Sequence, residues 1–201
     1  MSCTTCRQCF TPKLRICVYC SSSSAVDEVY AQAARELGRL IGMRGHALVY
    51  GGCDLGLMGE LGRAVKDVGG QVVGIIPRRL EEYGLAFEGA DEMIVVESMA
   101  ERKTLMEKKA EAFIALPGGF GTLDELVQVM TLKQLGYLQG AIVLLNVAGF
   151  YDHLLAHFER LYQQHFAKAE FRQLYRVVAH PAEALEYIES YTGIELPRKW
   201  F

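Results

Sequence analysis

Apolar positions along this chain follow two alternating rhythms. Short apolar or β-branched runs over 14–20, 47–50, 72–76, 93–96, 113–116 and 142–145 read as buried strands. Between them, apolar residues recur at helical spacing, as with Tyr30, Ala33, Ala34, Leu37, Leu40 and Ile41 in a helix predicted over 26–44. Further helices are predicted over 57–68, 98–110, 122–135, 151–165 and 181–191. Gly45 and Gly69-Gly70 close two helices, and Pro77 ends a strand. Residues 78–90 fit neither rhythm and read as a partly helical surface segment. Strands alternating with helices predict an α/β fold of Rossmann-like architecture. Its sheet is parallel, has six or seven strands, and is covered by helices on both faces.

Composition narrows the class. A chain of 201 residues, 51% of them hydrophobic, suits one well-buried domain over 14–201, preceded by a polar tail over 1–13. A net charge of −3 gives no global field to recruit nucleic acid or an anionic membrane. No apolar run reaches spanning length and the N-terminus has no signal-peptide core, so a cytoplasmic protein is expected. Its six cysteines are then expected as thiols. Cys3-x-x-Cys6-x-x-Cys9 lacks a fourth ligand, so no metal site is expected there, and Cys17 reads as a small core residue.

In an open parallel sheet, ligands bind beyond the carboxyl ends of the strands. The residues there are Ser21 to Ser24, Gly51-Gly52, Glu97-Ser98-Met99 and Pro117 to Gly121, with Ser22, Gly51 and Gly52 as candidate substrate contacts. The serine run would serve equally as a turn that caps the next helix. The strongest local signal is Pro117-Gly118-Gly119-Phe120-Gly121-Thr122, where a buried strand breaks into bare backbone and restarts as a helix. Glycines admit a ligand close to the backbone, and the unpaired amides of a helix start favour an anion. Asp124 stands where a dinucleotide fingerprint needs its last glycine, and no Gly-Lys-Ser/Thr loop precedes a helix. NAD binding and ATP hydrolysis are therefore not expected.

Ser98 and Glu101 have capping-box spacing, which fixes a helix start. Arg102 and Lys103 follow in its first turn, on or beside the stripe of Met99 and Met106. Two cations there oppose the helix dipole. A bound anion would compensate them, unless both side chains reach out to solvent. Thr122 and Glu125 also have capping-box spacing, so Glu125 reads either as a cap or as a catalytic carboxylate.

Pro117-Gly118-Gly119-x-Gly121-Thr122-x-x-Glu125, with Met99-x-x-Arg102-Lys103 upstream, resembles the LONELY GUY (LOG) family of cytokinin riboside 5′-monophosphate phosphoribohydrolases. Supporting matches are Cys17-Val18-Tyr19-Cys20, Tyr50-Gly51-Gly52, Gly56-Leu57-Met58-Gly59, Leu144-Leu145-Asn146-Val147 and Gly149-Phe150-Tyr151-Asp152. The resemblance implies cleavage of the N-glycosidic bond of AMP or an N6-modified AMP, without metal or organic cofactor, by a homodimer. It implies that Arg102 and Glu125 are catalytic and that Gly118, Gly119, Gly121 and Thr122, with Phe120 in the same turn, cradle the 5′-phosphate. Lys103 and Thr131 would also contact substrate, and Met99 would pack near the base. Ser21 and Cys53 stand where the family often has glycine, and Gly84 where it commonly has an acid. The molybdenum cofactor carrier proteins share the Pro-Gly-Gly-x-Gly-Thr turn and supply the rival reading, a binding protein without hydrolase activity.

Overall fold

The computed structural model describes residues 13–197. Seven strands, β1 (Arg15–Tyr19), β2 (Ala47–Tyr50), β3 (Gln71–Pro77), β4 (Glu92–Val96), β5 (Ala112–Ala115), β6 (Ala141–Leu145) and β7 (Arg176–Val178), form one sheet. Every pairing is parallel, in the order β4-β3-β2-β1-β5-β6-β7. The helices between them are α1 (Glu28–Met43), α2 (Gly56–Asp67), α3 (Arg78–Glu81), α4 (Met99–Lys109), α5 (Phe120–Gln134), α6 (Asp152–Gln163) and α7 (Pro181–Glu189). Short 3-10 turns occupy Val147–Gly149 and Ala169–Leu174. None of the described helices is long and apolar enough to cross a membrane. The cysteine triplet Cys3, Cys6 and Cys9 lies outside the described residues.

The period-2 alternation of each strand sorts the core into two layers. Ile16, Val18 and Cys20 of the β1 segment, Leu48, Tyr50 and Ile114 meet Leu37, Ile41, Leu61 and Leu185 from α1, α2 and α7. Cys17, Tyr19, Val49, Phe113 and Leu144 meet Met106, Leu126, Val129 and Phe158 from α4, α5 and α6. Both faces are covered, which is why the strands read as unbroken apolar runs. From β1 the chain builds outward to β4, then restarts on the other side of β1 with β5. The carboxyl ends of β1 and β5 therefore form the switch point of the sheet, where an open crevice is left.

Two features depart from the periodicity reading. β7 is three residues long at the sheet edge and carries an exposed Arg176, too little to register as a strand. The 78–90 segment is more than surface: it holds α3 and the buried Phe87.

One buried position breaks the core pattern. Leu126 and Val129 set the buried stripe of α5, and Lys133 continues it. Its ammonium finds no hydrogen-bond partner among the described residues and sits 4.7 Å from the centre of the Tyr191 ring. Burial pulls its pKa from 10.5 down to about 8. Below pH 8 the folded state carries the full cost of a buried charge. Between pH 8 and 10.5 the unfolded chain binds the extra proton, so stability rises with pH. Lys133→Met is thus expected to stabilise the fold by about 1–3 kcal/mol at pH 7, with the gain fading by pH 10, in urea titrations at both values. An equal gain at both pH values would refute this origin.

Candidate active site

The switch-point crevice is a cavity of about 390 Å³. The β1–β5 ladder runs on into its walls: the Leu116 amide donates to the Tyr19 carbonyl at 2.9 Å, and the Ser21 amide to the Pro117 carbonyl at 3.3 Å. Serine turn and glycine turn are thereby tied together. The serine turn holds itself, since the Ser21 and Ser23 hydroxyls accept from the amides of Ser23 and Ala25. Gly56 lets the start of α2 press on it, because a Cβ there would lie 2.5 Å from the Ser22 carbonyl carbon. Beneath the glycine turn, the Tyr151 hydroxyl donates to the Leu116 carbonyl at 2.6 Å. Asn146 secures that tyrosine by accepting from its amide and donating to Asp152. The asparagine and tyrosine motifs after β6 are thus scaffolding for the turn.

Arg102 and Glu125 meet in the wall of the cavity. Arg102 Nη1 donates to Glu125 Oε1 at 2.8 Å, and Arg102 Nε donates to the Ile75 carbonyl at 3.0 Å. Each residue is only 5% exposed. Burial pushes the Glu125 carboxyl above the usual carboxylate range and Asp124 adds to this, while the charges of Arg102 and Lys103 pull it back. The third side of the guanidinium is walled by backbone, since a Cβ on Gly51 would fall 1.8 Å from Arg102 Nη2.

Ser98 caps α4 as its spacing predicts, its hydroxyl accepting from the Glu101 amide at 3.1 Å. The second capping box is corrected: α5 starts at Phe120 with Gly119 as its cap residue, so Thr122 lies inside the first turn. The bare backbone of Gly119 takes the cap position, and the Glu125 carboxylate is free to turn inward to Arg102. The two cations in the first turn of α4 are compensated within the chain: Arg102 pairs with Glu125, and Lys103 with Asp124.

Ser22, Gly51, Arg102, Gly119, Gly121, Thr122 and Glu125 line the cavity. The other sequence candidates stand off its wall. Lys103 is engaged by both Asp124 oxygens, at 2.8 and 3.0 Å. Met99 is 49% exposed and Phe120 is 93% exposed. Exposed Thr131 donates its hydroxyl to the Val127 carbonyl. Gly118 makes room for Thr122, whose Oγ1 would lie 2.1 Å from a Cβ there. Gly52 has φ +75° and abuts Met93 and Ile75.

Ser21 and Ser23 of the serine turn line it too, and so do Cys20, Cys53, Leu55, Met58, Leu80 and Leu85; the last six were not expected there. Sequence reading did not single these out as site residues, because nothing in the local sequence separates an apolar side chain on a cavity wall from one in the core. Burial holds the Cys20 thiol far above its usual pKa, so it stays neutral. Among the described residues no cluster of three or more histidine, cysteine or acidic side chains could hold a metal ion.

Residues 58–188 match a family model described as "possible lysine decarboxylase". The chain is 41% identical over 180 residues to the Arabidopsis thaliana cytokinin riboside 5′-monophosphate phosphoribohydrolase LOG5, covering 90% of this chain and 79% of that protein. It is 42% identical to the Oryza sativa enzyme LOG over 177 residues, covering 88% and 73% respectively. Among solved structures, the molybdenum cofactor binding protein of Rippkaea orientalis superposes with a TM-score of 0.70 at 21% identity, covering 90% of this chain and 98% of that one. The molybdenum cofactor carrier protein of Chlamydomonas reinhardtii gives 0.69 at 24% identity, covering 88% and 96%. At these identities the two structures share the fold.

Proposed function

This chain belongs to the LOG family, and from that premise we propose that it hydrolyses the N-glycosidic bond of adenosine 5′-monophosphate, plain or N6-modified. Water adds to the ribose C1′, the bond to the purine breaks, and the base leaves with a proton beside ribose 5-phosphate. The observation that carries this reading is the buried Arg102–Glu125 pair in the wall of a switch-point cavity. Such cleavage passes through an oxocarbenium-like sugar, which an ionised carboxylate stabilises. In our reading Glu125 faces the ribose, and Arg102 orients phosphate and sugar hydroxyls while balancing charge. The glycine turn fixes the phosphate, so part of the rate comes from orientation. The test is chromatographic detection of free base from AMP and isopentenyl-AMP. Failure with every nucleoside monophosphate, together with a bound pterin chromophore in the purified protein, would favour a carrier instead.

The phosphate assignment has its own check. Gly119 has φ −87° and ψ −155°, an extended backbone open to any residue, and a Cβ there would meet no atom within 4 Å. Nothing inside the fold requires glycine at this point, and in our reading the open space beside it takes the phosphate. Gly119→Ala is expected to unfold within about 0.5 kcal/mol of the parent. Its KM should rise about tenfold or more through lost phosphate contact. An unchanged KM would remove the turn from the phosphate site.

We also propose that the chain works as a homodimer. Phe120 and Val127 are exposed, and Leu123 and Met130 are half-buried, at helical spacing on the outer side of α5. Sedimentation should give a dimer that Phe120→Glu with Val127→Glu dissociates; a parent that sediments as a monomer would exclude it.

A further inference from the structure

Resting on the phosphate-turn reading above, we propose that Tyr151 is a positioning residue: from behind the cavity wall it holds the glycine turn in the shape that receives the 5′-phosphate. Tyr151 is 1% exposed and lies outside the cavity lining, so it acts on a ligand only through the backbone it grips. The carbonyl that accepts its hydroxyl, that of Leu116 at 2.6 Å, stands immediately before Pro117, where the strand breaks into the turn. Proline offers no N–H, so the peptide between residues 116 and 117 has only this carbonyl by which to be held. Burial keeps the phenol protonated, which makes it a steady donor that adds no charge to the site.

The loop that aims the phenol is itself pinned. The Asn146 amide donates to the Val178 carbonyl of β7 at 2.8 Å. The Asn146 side chain accepts from the Tyr151 amide at 2.7 Å and donates to Asp152 at 2.8 Å. Between these ties Ala148 takes φ +50° and ψ +30°, a left-handed conformation that residues with a side chain rarely adopt. It persists because the bonds around it over-determine the loop. The same loop also backs the opposite wall. Phe150 packs edge-on against Tyr151, with ring centres 5.1 Å apart, and against Tyr30 of α1 at 5.8 Å. Helix α1 follows the serine turn, so one loop supports both turns that flank the cavity.

The experiment measures ribose 5-phosphate binding by calorimetry in the parent, Tyr151→Phe and Tyr162→Phe, with adenine binding as the reference. Tyr162 is the matched control: its buried hydroxyl also donates to a backbone carbonyl, that of Phe171 at 3.3 Å, and neither residue lines the cavity. Tyr151→Phe should weaken ribose 5-phosphate about tenfold and adenine by less than about twofold, whereas Tyr162→Phe should move neither beyond about twofold. The loss should reappear as a raised KM for AMP, with the acid limb of kcat/KM at its parental pH because no charge facing Glu125 has changed. Asn146→Ala should resemble Tyr151→Phe, and the double variant should lose no more than the worse single one. If Asn146→Ala does not fold, Tyr151→Phe alone decides. Equal weakening of adenine, equal weakening in Tyr162→Phe, or unchanged ribose 5-phosphate binding in Tyr151→Phe would each overturn the proposal. A parent protein that releases no base yet binds ribose 5-phosphate defeats the hydrolase reading, while the calorimetry still judges Tyr151. A parent that does not bind ribose 5-phosphate overturns the phosphate turn and the proposal together.

Discussion

Glu125→Gln is expected to lower kcat for base release at least about a hundredfold with the fold intact. Glutamine keeps an oxygen that can accept from Arg102 Nη1 but cannot offer a negative charge to the developing ribose cation. Arg102→Ala should lose at least as much, since it removes the donor and leaves a carboxylate buried without its counterion. The pH dependence separates the two roles. Burial holds the Glu125 carboxyl above its ordinary value of 4.5. In the parent, kcat/KM should therefore fall as pH drops through that raised value, because protonation removes the anion the reaction uses. In Arg102→Ala the limb should move to still higher pH, as the largest opposing influence is gone. The same raised pKa has a stability counterpart: below the unfolded value both states are protonated, and stability declines as pH rises through the folded one. A catalytic site that costs stability in this way is the expected signature of a charge kept for chemistry. Replacing both residues by leucine and methionine should leave stability near the parent and abolish turnover, because buried ion pairs are often matched by apolar packing. Base release near the parental rate in Glu125→Gln would defeat the assignment.

Much of this was legible in the sequence, for reasons that also mark where legibility stopped. Fully buried strands announce themselves as apolar runs, so Ile114 and Val143 placed β5 and β6 without ambiguity. The glycine turn was legible because three glycines in four residues have few uses at a strand end. Glu125 was ambiguous because a helix cap and a catalytic carboxylate would show the same spacing from Thr122. The cap reading falls to a helix that starts two residues earlier than the pattern suggested, at Phe120. The ion pair of Lys103 was not legible, because its partner Asp124 lies 21 residues away in sequence, beyond the reach of any local pattern. Leu80 and Leu85 were invisible because, as for the other apolar residues of the wall, nothing local separates a cavity-lining side chain from a packed one, and only the tertiary fold lays their segment over the cavity.

Gly51→Ala should be nearly as damaging as Arg102→Ala, although glycine 51 carries no chemistry. The added carbon would stand 1.8 Å from Arg102 Nη2 and 3.0 Å from Cζ, far inside contact distance. The colliding group is the far end of a flexible side chain, so the backbone stays and the guanidinium gives way. Once displaced, Arg102 cannot hold both the Ile75 carbonyl at 3.0 Å and Glu125 at 2.8 Å. Turnover should fall about a hundredfold, the scale of losing one preorganised charge partner. The acid limb of kcat/KM should rise in the same direction as for Arg102→Ala. Gly52→Ala is the contrast one residue on. There φ is +75° and the neighbours include the Ile75 amide nitrogen, so the expected damage is to stability. The decisive measurement is the double variant Gly51→Ala/Arg102→Ala. If glycine 51 acts through Arg102, the double variant loses no more turnover than Arg102→Ala alone. If the two losses multiply, the bare backbone at 51 serves the ligand directly, and the wall it presents to Arg102 is incidental.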